Sequence, residues 1–140
     1  MSSETVQWLK VKLEALFASF SGILEWKWDG RFDTALAEFS VERSEEIHAI
    51  LEAYLPSCLD AAQLTVSSEA IRQIGRKLGG LMLGQKLLLS ASKSNAYVFC
   101  AWWPWGSGQR ISIRIGVFAS DLLHEEVGAL VDDLRGLIDT

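Results

Sequence analysis

The chain has 140 residues, 49% of them hydrophobic and 22% charged, with a net charge of −5. That composition excludes a disordered segment, which lacks the apolar surface needed to offset the entropy of ordering. The length suits one domain, residues 1–140, able to bury roughly 68% of its unfolded surface. The 13 Lys and Arg are spread along an acidic chain, with Arg76-Lys77 as the longest cluster, so nucleic acid is not an expected partner; binding it calls for clustered positive charge.

The first element is a helix, with Val6, Leu9, Leu13, Leu16, Phe17 and Phe20 recurring at three- and four-residue steps as one apolar stripe. Ser21-Gly22 ends it. Leu24, Trp26 and Trp28 then alternate with Glu25, Lys27 and Asp29, the pattern of a half-buried strand. Asp29-Gly30 follows, supplying the positive φ angles of a tight hairpin turn. Residues 31–39 form the returning strand, with Phe32, Thr34 and Leu36 on one face.

Residues 40–84 read as interrupted helix. Ser44 before Glu45-Glu46 is an N-cap with acids facing the positive end of the helix dipole, and Ile47, Ile50, Leu51, Tyr54 and Leu55 make the apolar side. Pro56 forces a break. A second helical pattern from Ser67 or Ser68 carries Ile71, Ile74, Leu78 and Leu81, and Gly79, Gly80 and Gly84 close it.

Three strands follow. Residues 85–92 are short and apolar, and Lys93-Ser94-Asn95 is a turn. Residues 96–103 are apolar on both faces, as in a central covered strand. After a loop at 104–108, residues 110–119 alternate Ile111, Ile113, Ile115 and Val117 with Ser112, Arg114 and Gly116. A last helix opens at Ser120 or Asp121 and runs through Leu123, Val127, Leu130, Val131, Leu134 and Leu137-Ile138. The expected fold is α+β, order α-β-β-α(-α)-β-β-β-α, a five-stranded antiparallel sheet with helices on both faces.

No catalytic, cofactor-binding or metal-binding residue is assigned. His48 and His124 sit beside glutamates on solvated helix faces, and consecutive helical residues such as His124-Glu125-Glu126 point in different directions. The glycines at 79 and 84 have P-loop spacing, but Gln85-Lys86 stands where Lys and Ser/Thr must follow, and a helix precedes instead of a strand. Ser90-Ala91-Ser92-Lys93 matches SxxK without its companion motifs. Glu45-Glu46, Glu125-Glu126 and Asp132-Asp133 read as solvated helix surface. Cys58 and Cys100 lack metal-site spacing and read as buried free thiols. Met1-Ser2-Ser3-Glu4 has no signal-peptide character, and no apolar run is long enough to span a bilayer. The expected setting is the cytoplasm, without membrane insertion.

The remaining candidate is Trp102-Trp103-Pro104-Trp105-Gly106-Ser107-Gly108. Trp102 and Trp103 must face opposite sides of the sheet. Trp105, between a proline and a glycine, has the least reason to be buried, and tryptophan dominates interface hot spots. Strand 85–92, if it is a sheet edge, exposes unpaired backbone and calls for a partner. The partner-binding candidates are therefore Trp102, Trp105, Leu87 and Leu89.

The order of elements resembles the Roadblock dynein-light-chain family, whose domains are similar to profilin and longin folds. The likeness is carried by the Leu13-Leu16-Phe17 stripe, by Gly22-Ile23-Leu24-Glu25-Trp26-Lys27-Trp28-Asp29-Gly30, by Gly84-Gln85-Lys86-Leu87-Leu88-Leu89 and by the closing Leu-rich helix. Residues 40–84 are longer than the single helix of that plan, Pro56 interrupts them, and the Trp-Trp-Pro-Trp run is not part of it. The resemblance implies one long helix on one sheet face and the terminal helices on the other. It also implies a non-enzymatic homodimeric scaffold or regulator, including regulation of a small Ras-like GTPase. The competing expectations are a small-molecule-sensing α/β domain, with tryptophans lining its pocket, and an acidic dimeric secretion chaperone.

Overall fold

The computed structural model describes residues 2–138. Helix α1, Ser2–Ser19, precedes strands β1, Lys27–Asp29, and β2, Thr34–Ser40. A 3-10 turn, Val41–Arg43, leads into α2, Ser44–Tyr54, and β3, Ser57–Leu59. Helices α3, Ala61–Thr65, and α4, Glu69–Lys77, come before β4, Lys86–Leu89; β5, Ala96–Pro104; β6, Arg110–Ala119; and α5, His124–Ile138. All strand pairings are antiparallel, in the order β1-β2-β6-β5-β4-β3.

The fold is α+β with helices on both faces, but the sheet has six strands, not five. The extra strand is β3, which begins one residue after Pro56 and pairs Cys58 with Leu88. It follows that β4 is flanked by β3 and β5 and is not an edge. The edges are β1 and β3, each three residues long.

Strand alternation sorts the side chains. Ala35, Ala37 and Phe39, then Val98, Cys100 and Trp102, then Ile111, Ile113, Ile115 and Val117 point to a first face. There they meet Leu9, Leu13 and Leu16 of α1 with Phe20 just after it, Ile47 and Leu51 of α2 with Leu55 at its C-terminal cap, and Leu130 and Leu134 of α5. Each buried Leu, Ile, Val or Phe among them contributes about 1.5–3 kcal/mol. On the second face Leu87, Leu89, Phe99 and Ala101 pack under Leu64 of α3, Ile74 of α4 and Leu78 at its C-terminal cap. Gly75 makes this possible: a Cβ there would lie 2.6 Å from Leu64 Cδ2. The second-face cover is thus two short helices, while the middle helix α2 joins the terminal ones on the first.

Local details also depart from the expectations: β1 begins at Lys27, not Leu24, and β2 at Thr34, not residue 31. The hairpin turn spans residues 30–33, and its positive φ falls on Asp33, not Gly30. Asp29 instead accepts the Arg31 N–H at 3.0 Å, holding the turn by a side chain. Ser44 is the first helical residue of α2, whose N-cap is Arg43 with no side-chain cap bond, and Ser40 caps the preceding 3-10 turn by accepting from Glu42 N. Helix α5 opens at His124, later than Ser120 or Asp121. Among the described residues, no helix is long and apolar enough to cross a membrane.

Candidate functional site

Three of the four partner-binding candidates lie in the core. Leu87 and Leu89 are completely buried beneath α4, and Trp102 is only 5% exposed, edge-on to Phe39 and His48. The two leucines point from the sheet face onto Leu64, Ile74 and Leu78, which bury them, while β3 occupies the outer backbone edge of β4. Cys58 departs the other way, being exposed on β3, while Cys100 is buried. Burial pushes both thiols above their ordinary value.

Trp105 is the exposed candidate, at 42%. It is nevertheless held firmly. Its backbone N–H donates to Arg110 O at 2.8 Å and its carbonyl accepts from Gly108 N at 2.9 Å, closing the β5–β6 hairpin. Its indole Nε1 donates to Ser112 Oγ at 2.7 Å, and the Arg110 guanidinium lies 5.5 Å from the ring centroid. The ring is folded back over the second face of β6 as a rigid, half-exposed plate.

Neighbouring positions continue this surface. Helices α3 and α4 cover the second face over β4 and β5. Toward β2 and β6 the strands present Leu36, Glu38, Ser112 and Arg114 on that same side. Arg114 stacks on Trp103 at 4.4 Å and reaches Phe32 at 5.7 Å. Its Nε donates to Asp29 Oδ2 at 2.7 Å. Partial burial pushes the Asp29 carboxyl up, but hydrogen bonds from Arg114 and the Arg31 backbone outweigh it and leave Asp29 below its ordinary value. Lys27 and Glu38 pair at 3.4 Å farther along. This open half is therefore a layer of arginine and tryptophan, fixed in place by hydrogen bonds and stacking.

A second feature lies on the first face, where α2 crosses the sheet. Ser44, Glu45, His48, Ala49 and Glu52 face Lys86, Trp102 and Ile111 across a groove of about 510 Å³, open along one side. His48 Nδ1 lies 2.6 Å from Glu52 Oε1, and Ser44 is one helical turn before His48. A serine, a histidine and a carboxylate thus share one helix stripe at four-residue spacing, with no motif around them to mark it in the sequence. His48 Nε2, however, is buried without a hydrogen-bond partner, and the ring stands edge-on to Trp102 at 4.9 Å. A general base must reach its nucleophile's proton, and no Ser44–His48 hydrogen bond is formed. Among the described residues no cluster of three or more His, Cys, Asp or Glu could hold a metal.

One sequence signal was missed because it is an absence. Residues 70–120 contain Arg72, Arg76, Lys77, Lys86, Lys93, Arg110 and Arg114 and not a single Asp or Glu. All 18 acids lie outside that stretch. The acidic net charge conceals a stretch without acids that runs from the second residue of α4 through β4, β5 and β6, although Glu69 at the start of α4 pairs with Arg72 and Arg76.

No family model matches the chain, and no curated protein or solved structure matches it.

Proposed function

We propose that this chain is a non-enzymatic protein-binding module, acting as a homodimeric scaffold or regulator. The observation that carries this reading is the open half of the second sheet face. Tryptophan and arginine, the residue types most enriched in interface hot spots, are held there in fixed orientations around Trp105. Ordering them in advance lowers the entropy cost of association. Arg114 is already paired with Asp29, and Arg110 beside Trp105 is the arginine left to meet an acidic partner side chain. A small Ras-like GTPase, the partner class implied by the resemblance to Roadblock domains, is the first to offer it.

The test compares immobilised wild type with Trp105→Ala and Arg110→Ala. Binding of a Ras-like GTPase or another acidic protein should weaken by roughly 2 kcal/mol or more in the tryptophan variant, with the circular dichroism spectrum unchanged. Undiminished binding by both variants would remove this surface from the reading. The small-molecule sensor has one observation in its favour, Trp102 lining the groove beside α2. Yet that groove lies open along its length, unlike the enclosed sites that surround most of a small ligand.

A further inference from the structure

Trp105 and Arg110 are too small a surface to hold a folded partner unaided. One aromatic side chain buries at most about 250 Å², against about 800 Å² on each side of a standard interface. The strand register shows what would extend them. Trp103 pairs with Ser112, the residue to which the Trp105 indole is bonded, and Arg114 is the next residue of β6 on that face. The helices leave this half open, and the β1–β2 turn lies across part of it.

Phe32, in that turn, stands edge-on to Trp103 at 5.6 Å, and its ring lies 5.7 Å from the Arg114 guanidinium. Asp29, just before it, accepts from Arg114 Nε at 2.7 Å, and the carboxylate and guanidinium side chains are only 13% and 18% exposed. The segment that carries both residues is joined to the sheet by the three ladder pairs of β1, an edge strand.

What lies under this segment is incompletely paired. Trp103 Nε1 and Thr34 Oγ1 are both buried without a hydrogen-bond partner. Thr34 is fully buried opposite Asp29 in the β1–β2 ladder, and its Cγ2 shares the second face with Phe99 beside Gly116. A buried polar group left unpaired is costly, so the covered state gives up free energy that contact with water or a partner would return. The one polar group the segment does satisfy is Arg114, and it does so with a carboxylate, the group that an acidic partner would bring.

We propose that residues 29–33 are an autoinhibitory strap: Asp29 holds the seat of a partner's carboxylate on Arg114, Phe32 shields Trp103, and an acidic partner displaces both to join Arg114 and Trp103 to the Trp105 surface. This rests on the protein-binding reading above and supplies the area which that surface lacks. A site open for only part of the time binds more weakly by the fraction open. Loosening the strap should therefore strengthen binding, whereas losing an ordinary contact weakens it.

Fluorescence anisotropy with a labelled oligoglutamate peptide tests this, with the Trp103 indole N–H resonance as a second readout. Asp29→Asn keeps an acceptor for the Arg31 N–H but gives up the charge. It should tighten binding about fivefold or more over wild type, and the Trp103 resonance should shift as peptide is added. Phe32→Ala leaves the ion pair in place and should act in the same direction, which keeps the test decisive if one variant does not fold. Adding Arg114→Ala to Asp29→Asn should abolish the gain. Asp132→Asn, at an exposed position of α5, changes the net charge equally and should bind as wild type does. Binding unchanged or weakened in both strap variants, but still lost with Trp105→Ala, would overturn the strap and spare the Trp105 surface. A gain as large with Asp132→Asn would reduce the effect to net charge and overturn it as well. No binding by any variant would end the strap and the acidic-partner reading together.

Discussion

On the first face of the sheet, Ala37, Val98 and Ile113 meet leucines and phenylalanines from three helices, and none of the buried side chains there is ionised. The same strands turn Glu38, Ser112 and Arg114 toward the second face, where two short helices leave the β2–β6 half uncovered. One side is finished by apolar burial, which is tolerant of small shifts and indifferent to pH. The other is finished by directional contacts: Asp29 to Arg114, Arg114 to Trp103, Trp105 to Ser112. The difference teaches where binding can occur. Trp105, ordered by its hydrogen bond to Ser112 and still 42% exposed, can exchange solvent for a partner without reorganising the core.

Substitutions can break or sharpen this contrast. The largest loss should come from Phe20→Ala on the first face, about 3–5 kcal/mol in denaturant melts. An equal loss from the open half would erase the distinction. Gly116→Val should follow, because a Cβ at Gly116 would lie 2.7 Å from Phe99 Cζ and 3.0 Å from Thr34 Cγ2. Overpacking of that kind costs about 1–3 kcal/mol. Arg114→Ala should cost about 2 kcal/mol by leaving a half-buried Asp29 unpaired.

That last penalty should depend on pH. Because the folded Asp29 lies below its ordinary value, its stabilisation is fully present above the unfolded carboxylate value of about 3.9. It is lost as pH falls through the lower folded value. The gap between wild type and Arg114→Ala in thermal melts should therefore shrink in strong acid toward the packing lost over Trp103. A gap constant with pH would mean that stacking, not the ion pair, holds Arg114. Smaller still, Trp105→Ala should cost about 1 kcal/mol, the scale of one hydrogen bond and one exposed cation–π contact. With no change in stability at all, thiol labelling should modify Cys58 in the native protein and reach Cys100 only on unfolding.

Much of the fold was legible in local patterns. The α1 stripe, the two-sided apolar character of β5 and the alternation in β6 each follow from the period of the element that carries them. Strand β3 was not legible, because Ser57-Cys58-Leu59 is too short to show a period and is defined only by its register with β4. That one omission converted β4 into an apparent edge and misplaced Leu87 and Leu89. In the candidate site, Trp105 stood out through its Pro and Gly neighbours, but its anchor, Ser112, looks like any outward strand residue. Asp29 and Arg114 are 85 residues apart, and nothing local joins them. The acid-free block could have been read directly. It escaped a search for clustered basic residues because its charges are spaced.

Both outer strands of the sheet, β1 and β3, offer only three residues of free backbone. Such short borders give an incoming chain too few amides to template a continued ladder. Crowding many copies together should therefore not zip them side by side into fibrils. Growth by strand addition is closed off at both margins, so that any specific assembly has to be made by side chains at the sheet's end or on its open face, where it can stop at a defined number of subunits.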